Sequence, residues 1–246
     1  MACGLCGFEP LAFVNRDKRR EFYMCGGCGL VSVPERYRLS VDGERVRYGL
    51  HDNTMSNAGY VRFLSQVADV AAGLWRPGMR VLDFGSGENA ALCRLLEDKG
   101  VDCCAYDPLY GRMLPDSTYI NGANDGNNDN NGNDTNDTND DCNSYQYDMI
   151  YPSNPCRFDI VILCEVIEHL RDIARELEFI GKLSRDGGTV ILRTQTYETL
   201  SAFPGWWYAQ DPTHINFFNR QSLKKAAAII NKNLENTDYP DIFVAI

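Results

Sequence analysis

The chain has 246 residues, 44% of them hydrophobic, and a formal net charge of −10. That length suits one α/β domain plus a small appendage, and no apolar stretch approaches the roughly twenty residues that cross a bilayer. The acidic balance argues against a nucleic-acid enzyme, so the expectation is a soluble protein with a small-molecule partner and no membrane.

The first element is a pair of cysteine turns. Cys3-Gly4-Leu5-Cys6-Gly7 and Cys25-Gly26-Gly27-Cys28-Gly29 repeat one Cys-x-x-Cys-Gly pattern, with eighteen residues between Cys6 and Cys25. Four thiolates so placed surround one zinc ion tetrahedrally, and the glycines relieve crowding where backbone N–H groups face sulfur. The other readings are disulfides or a redox pair. Met1-Ala2-Cys3 begins the turn itself, which predicts no secretory leader, a reducing cytoplasmic setting and no disulfides. About fifty residues with few large apolar side chains do not build a core alone. A structural Zn2+ is therefore expected to hold a ribbon over residues 1–46, with no open position for substrate. Cys93, Cys103, Cys104, Cys142, Cys156 and Cys164 lack metal spacing and read mainly as inert core thiols. Arg16, Lys18, Arg19 and Arg20 gather beside Asp17. They fit either a finger that touches phosphates or a solvated turn between ribbon strands, and the turn is preferred.

Residues 47–75 join the ribbon to the main domain. Arg47-Tyr48-Gly49-Leu50-His51-Asp52-Asn53 is a polar cluster that fits a lid, with His51 equally a surface linker residue. Tyr60, Phe63, Leu64, Val67, Val70, Ala71 and Leu74 then recur at three- and four-residue steps, which predicts a core-facing helix.

The main domain, residues 76–246, opens on Val81-Leu82-Asp83-Phe84-Gly85-Ser86-Gly87-Glu88-Asn89. An apolar run, a carboxylate, two close glycines and a helical segment give the start of a βαβ unit. A second run, Val101 to Tyr106, ends on Asp107, twenty residues past Gly87. That acid sits where a ribose presents two hydroxyls. No third glycine follows, and Glu88 would repel a pyrophosphate at the helix N-terminus. Two carboxylates suit a ligand bearing positive charge, and S-adenosylmethionine has an ammonium, a sulfonium and no phosphate.

Residues 121–144 are almost wholly Asn, Asp, Gly and Thr. Their composition cannot bury apolar surface and predicts a disordered insertion; without its six aspartates the body carries −4. Phe158 to Cys164 is a continuous apolar run of the kind buried on both faces of a parallel sheet. It feeds Glu165-Val166-Ile167-Glu168-His169-Leu170 and a helix to about Leu183. Asp186-Gly187-Gly188 is expected to break the chain before a strand at Thr189 to Leu192. After it, Trp206-Trp207-Tyr208-Ala209-Gln210-Asp211-Pro212-Thr213-His214 mixes aromatic walls with polar tips, which marks a binding loop. Trp207 and Tyr208 are the expected substrate contacts. His214 is the leading candidate for general base, with Asp211 orienting its ring; the rival is a histidine that only holds the loop. His169 stands as a second catalytic candidate against a turn-holding role.

Together "VLDFGSG", "YDP" at Tyr106-Asp107-Pro108, "FDIVILCEVIEHL" and "DGGTVIL" resemble a class I S-adenosylmethionine-dependent methyltransferase. The resemblance implies a Rossmann-like α/β fold with a seven-stranded sheet and a final hairpin in Leu234 to Ile246. It implies that Asp83, Gly85, Ser86 and Gly87 cradle the methionine portion, that Asp107 and Pro108 border the ribose, and that Glu165 lies near the methionine end. "CGLCG…FYMCGGCGLVSVP" resembles the zinc-ribbon lead-in of many bacterial-type methyltransferases. "WWYAQDPTHINFF" resembles a stretch of one branch of those enzymes whose acceptor is open. The implied function is methyl transfer to a small molecule. The alternatives are an RNA- or protein-modifying methyltransferase whose ribbon grips the macromolecule, and a non-catalytic binding scaffold.

Overall fold

The computed structural model describes residues 1–110, 112–114, 157–201 and 203–246. The Asn/Asp-rich segment 121–144, Cys142 and Cys156 lie outside them. Near the N-terminus, Asp17 accepts hydrogen bonds from the backbone N–H groups of Arg19 and Arg20, both at 2.6 Å. This side-chain turn joins β1 (Ala12–Arg16) to β2 (Glu21–Met24), and β3 (Val31–Ser32) pairs with β2. Ser40 caps α1 (Val41–Tyr48), and Asn57 caps α2 (Ala58–Leu74) by accepting from Gly59 and Tyr60. The three- and four-residue stripe of α2 buries Leu64, Val67, Ala68 and Ala71, while Leu74 at its end is exposed.

The βαβ units follow as β4 (Val81–Phe84), α3 (Ala91–Glu97), β5 (Cys103–Asp107), β6 (Arg112–Leu114), β7 (Phe158–Cys164), α4 (Ile173–Leu183) and β8 (Ser184–Arg193). β9 (Asn216–Phe217), α5 (Arg220–Ile229), β10 (Leu234–Asn236) and β11 (Ile242–Ala245) complete the chain. Seven of these strands form one sheet in the order β10-β11-β8-β7-β4-β5-β6. β4 pairs in parallel with β5 on one side and β7 on the other, and β7 with β8. The outer strands β6, β11 and β10 are antiparallel to their neighbours. All four residues of β4 are buried, as a strand covered on both faces requires. Because the strand order reverses at β4, a crevice opens beyond its carboxyl end. Arg193, almost fully buried, ties sheet to helix by bonding Asp241, the Phe63 carbonyl and Gln66.

A second sheet has the order β1-β2-β3-β9, so the ribbon is closed by a strand from the far end of the chain. Val31 faces Phe217 and Ser32 faces Asn216 in that pairing. The boundary drawn after residue 46 accordingly falls inside α1, and the ribbon does not stand apart. An aromatic core lies under it: Phe22 and Phe217 each meet Phe203 edge-on at 5.2 Å. Such pairs add about 0.5–1.5 kcal/mol each beyond area burial. Cys3, Leu5, Cys25, Cys28 and Leu30 share a buried cluster with Leu82, Phe179 and Ile180 of the main domain.

Two expectations are corrected. Cys93 and Cys103, read as inert thiols, are joined by a disulfide, with Cα atoms 5.4 Å apart. The turn from α3 into β5 brings them within bridging span. Asp186-Gly187-Gly188 does not break the chain. It lies within β8, where Gly187 takes φ of 73° and the pairing with β7 slips between Phe158 and Ile160. The final hairpin is as expected, with Glu235 opposite Val244. No helix among the described residues is long and apolar enough to cross a membrane.

Candidate active site

A cavity of about 760 Å³ occupies the crevice beyond β4, β5 and β7. Its first wall is the Gly85-Ser86-Gly87 turn, with Asp107 and Pro108 beside it. The Tyr106 carbonyl accepts from the N–H groups of Gly85 (2.7 Å) and Ser86 (3.1 Å). Asp107 is almost buried and accepts from the N–H of Gly87 with one oxygen and of Leu109 with the other, both at 2.8 Å. The acid expected at the ribose therefore also locks the two loops that border the cavity. Gly85 takes φ of 78°, and a Cβ there would stand 2.5 Å from Val166 Cγ2. Gly85→Ala is expected to cost about 1–3 kcal/mol, because left-handed backbone and overpacking act together. A urea midpoint equal to that of the wild type would refute this.

Asp83 sits under the turn rather than on the cavity wall. It is 2% exposed, and its Oδ2 has no hydrogen-bond partner. Burial, and then the charge of Asp107, push it up to about 7. Glu165 lines the cavity with left-handed backbone (φ 55°) and a buried, unpartnered Oε1. Burial and then the neighbouring Glu168 push it up to about 9. A buried carboxylate oxygen without a partner on each acid, in a low-dielectric site, favours a cationic ligand.

The last turn of α1 and the segment after it line the opening. Arg47 donates to Asp211 at 2.8 Å, and the Asn53 carbonyl accepts from Asn89 at 3.3 Å, so this strap touches both ends of the cavity. His51 Nε2 lies 3.7 Å from Asp211. Asp211 also accepts from the Thr213 N–H (2.9 Å) and hydroxyl (2.6 Å). Against the penalty of burial, the Thr213 and Arg47 bonds hold it well below the usual carboxylate range. These bonds engage Asp211 with Arg47 and Thr213, and the Nδ1 of His214 instead lies 2.9 Å from the Tyr208 carbonyl.

His214 and His169 meet edge to face at the far wall, ring centroids 4.8 Å apart. Burial, and then the adjacent His169 ring, push His214 down to about 3. A ring that weakly basic is neutral at pH 7 and offers a lone pair more readily than it stores a proton. The Nδ1 of His169 lies 3.0 Å from the Tyr48 hydroxyl and 2.9 Å from the Thr213 carbonyl. Trp207 stands on the rim, 67% exposed. Tyr208 is buried, its hydroxyl 3.2 Å from Thr194 Oγ1.

Sequence reasoning missed Glu168 and Arg20. Glu168 is fully buried beside His169, and the Glu-x-x-Glu-His spacing was its available signal. Arg20 is 3% exposed and donates to the carbonyls of His214 (2.9 Å) and Ala209 (2.5 Å). Nothing in the basic cluster distinguished it, since its partners are nearly two hundred residues away.

Away from the cavity, Cys3, Cys6, Cys25 and Cys28 bring their sulfurs within 4.8 Å of one another. Cys3 to Cys28 is 3.7 Å and Cys6 to Cys25 is 3.5 Å. Tetrahedral thiolates about 2.3 Å from one zinc stand about 3.8 Å apart. Each turn closes in the same way, with Gly7 N–H donating to the Cys3 carbonyl and Gly29 N–H to the Cys25 carbonyl, both at 2.8 Å. The cluster therefore has the donor set and spacing of a closed tetrathiolate site.

Comparison with known proteins agrees with this architecture. The family described as methyltransferase domain matches residues 58–236, more than half of the chain. A segment of 61 residues is 34% identical to the compactin diketide synthase of Penicillium citrinum; it covers 22% of this chain and 2% of that protein. The lovastatin diketide synthase of Aspergillus terreus is 33% identical over 61 residues with the same coverage, so the chain spans a small fraction of these curated relatives. Among solved structures, a SAM-dependent methyltransferase from Archaeoglobus fulgidus is 14% identical, with 76% of each chain covered and a TM-score of 0.48. The 1,6-didemethyltoxoflavin-N1-methyltransferase of Burkholderia thailandensis is 13% identical, covering 95% of this chain and 98% of that one at a TM-score of 0.47. Family membership rests on the domain match. With that match laid over a sheet reversed at β4 and a glycine turn locked by Asp107, the chain belongs to the methyltransferase-domain family, the class I S-adenosylmethionine-dependent methyltransferases that its sequence blocks resemble.

Proposed function

We propose that the protein transfers a methyl group from S-adenosylmethionine to a small-molecule acceptor bound at the histidine end of the cavity. The carrying observation is one continuous cavity that runs from the glycine turn and Asp107 to His169 and His214. The residues present fit the cofactor, because Glu165 on the cavity wall holds a buried carboxylate oxygen without a partner. When bound, S-adenosylmethionine supplies a methyl carried on a sulfonium, an electrophile that needs alignment more than covalent help. Gly85, Ser86 and Gly87 let backbone approach the methionine portion, with Glu165 as acceptor for its ammonium and the buried Asp83 acting from beneath the turn. Asp107 has lone pairs left for the ribose hydroxyls, and Pro108 borders them. At the other end, His169 and His214 face the acceptor, Trp207 and Tyr208 flank it, and Asp211 acts at one remove through Arg47 and Thr213.

The cysteine cluster is proposed to hold a structural Zn2+, which supports the fold and takes no part in transfer. A nucleic-acid acceptor gains no support from the basic turn, since Arg20 spends its guanidinium on two carbonyls of the binding loop. Calorimetry with S-adenosylhomocysteine tests the reading. The wild type is expected to bind, and Asp107→Ala to bind about 10- to 100-fold more weakly, the worth of lost charged hydrogen bonds. No heat from folded wild-type protein would end the enzyme reading. Label from methyl-labelled cofactor is expected to enter the small-metabolite fraction of a cell extract; entry into RNA or protein would overturn the acceptor class.

A further inference from the structure

We propose that Glu168, His169 and His214 bind a divalent cation of the Mn2+ to Zn2+ series at the acceptor end of the cavity. One potential ligand atom from each of the three lies within 4.8 Å of the others. The site is distinct from the cysteine cluster, and its part in turnover rests on the methyltransferase reading above.

Three features converge. First, the Nδ1 atoms of His169 and His214 each lie 2.9 Å from a backbone carbonyl, of Thr213 and Tyr208 respectively. A carbonyl only accepts, so each Nδ1 is assigned the ring proton, with the Tyr48 hydroxyl 3.0 Å from His169 Nδ1 as a second acceptor, and each Nε2 is left with a bare lone pair. An imidazole steadied by a carbonyl through its other nitrogen is the usual support of a metal ligand. Second, Glu168 is fully buried; Thr194 donates to its Oε2 at 3.0 Å while its Oε1 has no hydrogen-bond partner. Third, the spacing is that of co-ligands. Oε1 stands 3.7 Å from His169 Nε2, outside hydrogen-bond range. Two atoms about 2.1 Å from one ion at a tetrahedral angle are about 3.4 Å apart, so a small side-chain rotation closes the pair.

The donor set selects the ion class. Two imidazoles and one carboxylate suit Mn2+, Fe2+, Co2+ or Zn2+, whereas Mg2+ and Ca2+ prefer oxygen throughout. Three protein ligands leave a position open, and both histidines line the cavity. An ion held there would make a hydroxyl oxygen in that position more acidic, and its proton would pass to solvent. The acceptor is thereby assigned to the hydroxyl-bearing class.

Protein with zinc in its cysteine cluster is titrated with Mn2+, and the free ion is followed by electron paramagnetic resonance. One saturable Mn2+ per chain is expected, with nitrogen couplings from imidazole in the pulsed spectrum of the wild type. Glu168→Gln keeps the acceptor for Thr194, and His214→Asn removes a ring; each is expected to weaken Mn2+ at least about 100-fold. S-adenosylhomocysteine calorimetry on every protein reports the fold and the cofactor end independently. Lost Mn2+ with retained nucleoside binding supports the site. Unchanged affinity in both variants, no saturable Mn2+ in the wild type, or bound Mn2+ without nitrogen coupling overturns it. Silence toward the nucleoside in Mn2+-binding wild type would instead overturn the methyltransferase reading and leave the cation site standing.

Discussion

Cys25→Ser is expected to release the thiolate-bound zinc and to lower thermal stability throughout the molecule, including the binding loop. Structural zinc in small four-ligand sites contributes on the order of 10–16 kcal/mol, as much as the whole stability of an ordinary domain. The loss spreads because the ribbon is not self-contained. β3 pairs with β9, Leu30 and the cysteines pack among Leu82 and Ile180, and Gln221 of α5 donates to the Gly27 carbonyl at 2.9 Å. Gly29 is in close contact as well, since a Cβ there would strike Asn219, the cap of α5. Arg20 would lose its footing under the His214 and Ala209 carbonyls. Zinc released by thiol titration is expected to fall from one ion per chain to none, and the thermal transition to drop or broaden. A protein stripped of thiolate-bound zinc that melts like the untreated one would refute the structural role.

His214→Ala is expected to lower kcat about 10²- to 10⁴-fold, the range for loss of a group that takes the acceptor's proton or holds what activates it. S-adenosylhomocysteine affinity should change only a few-fold, because the nucleoside end is built from β4, β5 and their turns. The ring packs 4.1 Å from Tyr208 and 4.8 Å from His169 by centroid. Its removal therefore also costs about 1–3 kcal/mol of stability, so turnover must be compared well below the transition. Equal kcat in the variant would remove His214 from the chemistry and leave it a loop-holding residue.

The glycine turn, Asp107, the two cysteine turns and the central strands were legible in the sequence for one reason. Each is a short-range pattern: Gly87 and Asp107 are joined by a single helix and turn, so the βαβ connection carries the acid to the Gly87 N–H. The Cys93–Cys103 disulfide is equally local, ten residues apart, but a reducing setting predicts free thiols there. Asp211 was read as the partner of His214, but Arg47, 164 residues away in sequence, takes that carboxylate. Such a bond depends on how the last turn of α1 lies against the loop that carries Asp211. No spacing rule contains it.

The amino-acid order settled which residue types meet within a turn or a βαβ unit, because chain connectivity confines neighbours whatever surrounds them. It thereby set the glycine-turn end of the crevice and the thiolate cluster. Folding in three dimensions assembled the histidine end, where Glu168, His169 and His214 converge, Thr194 braces the acid, and Arg20 holds the loop from the ribbon. Those contacts join segments 26 to 194 residues apart. They exist only because burying the apolar faces of both sheets forces these segments together.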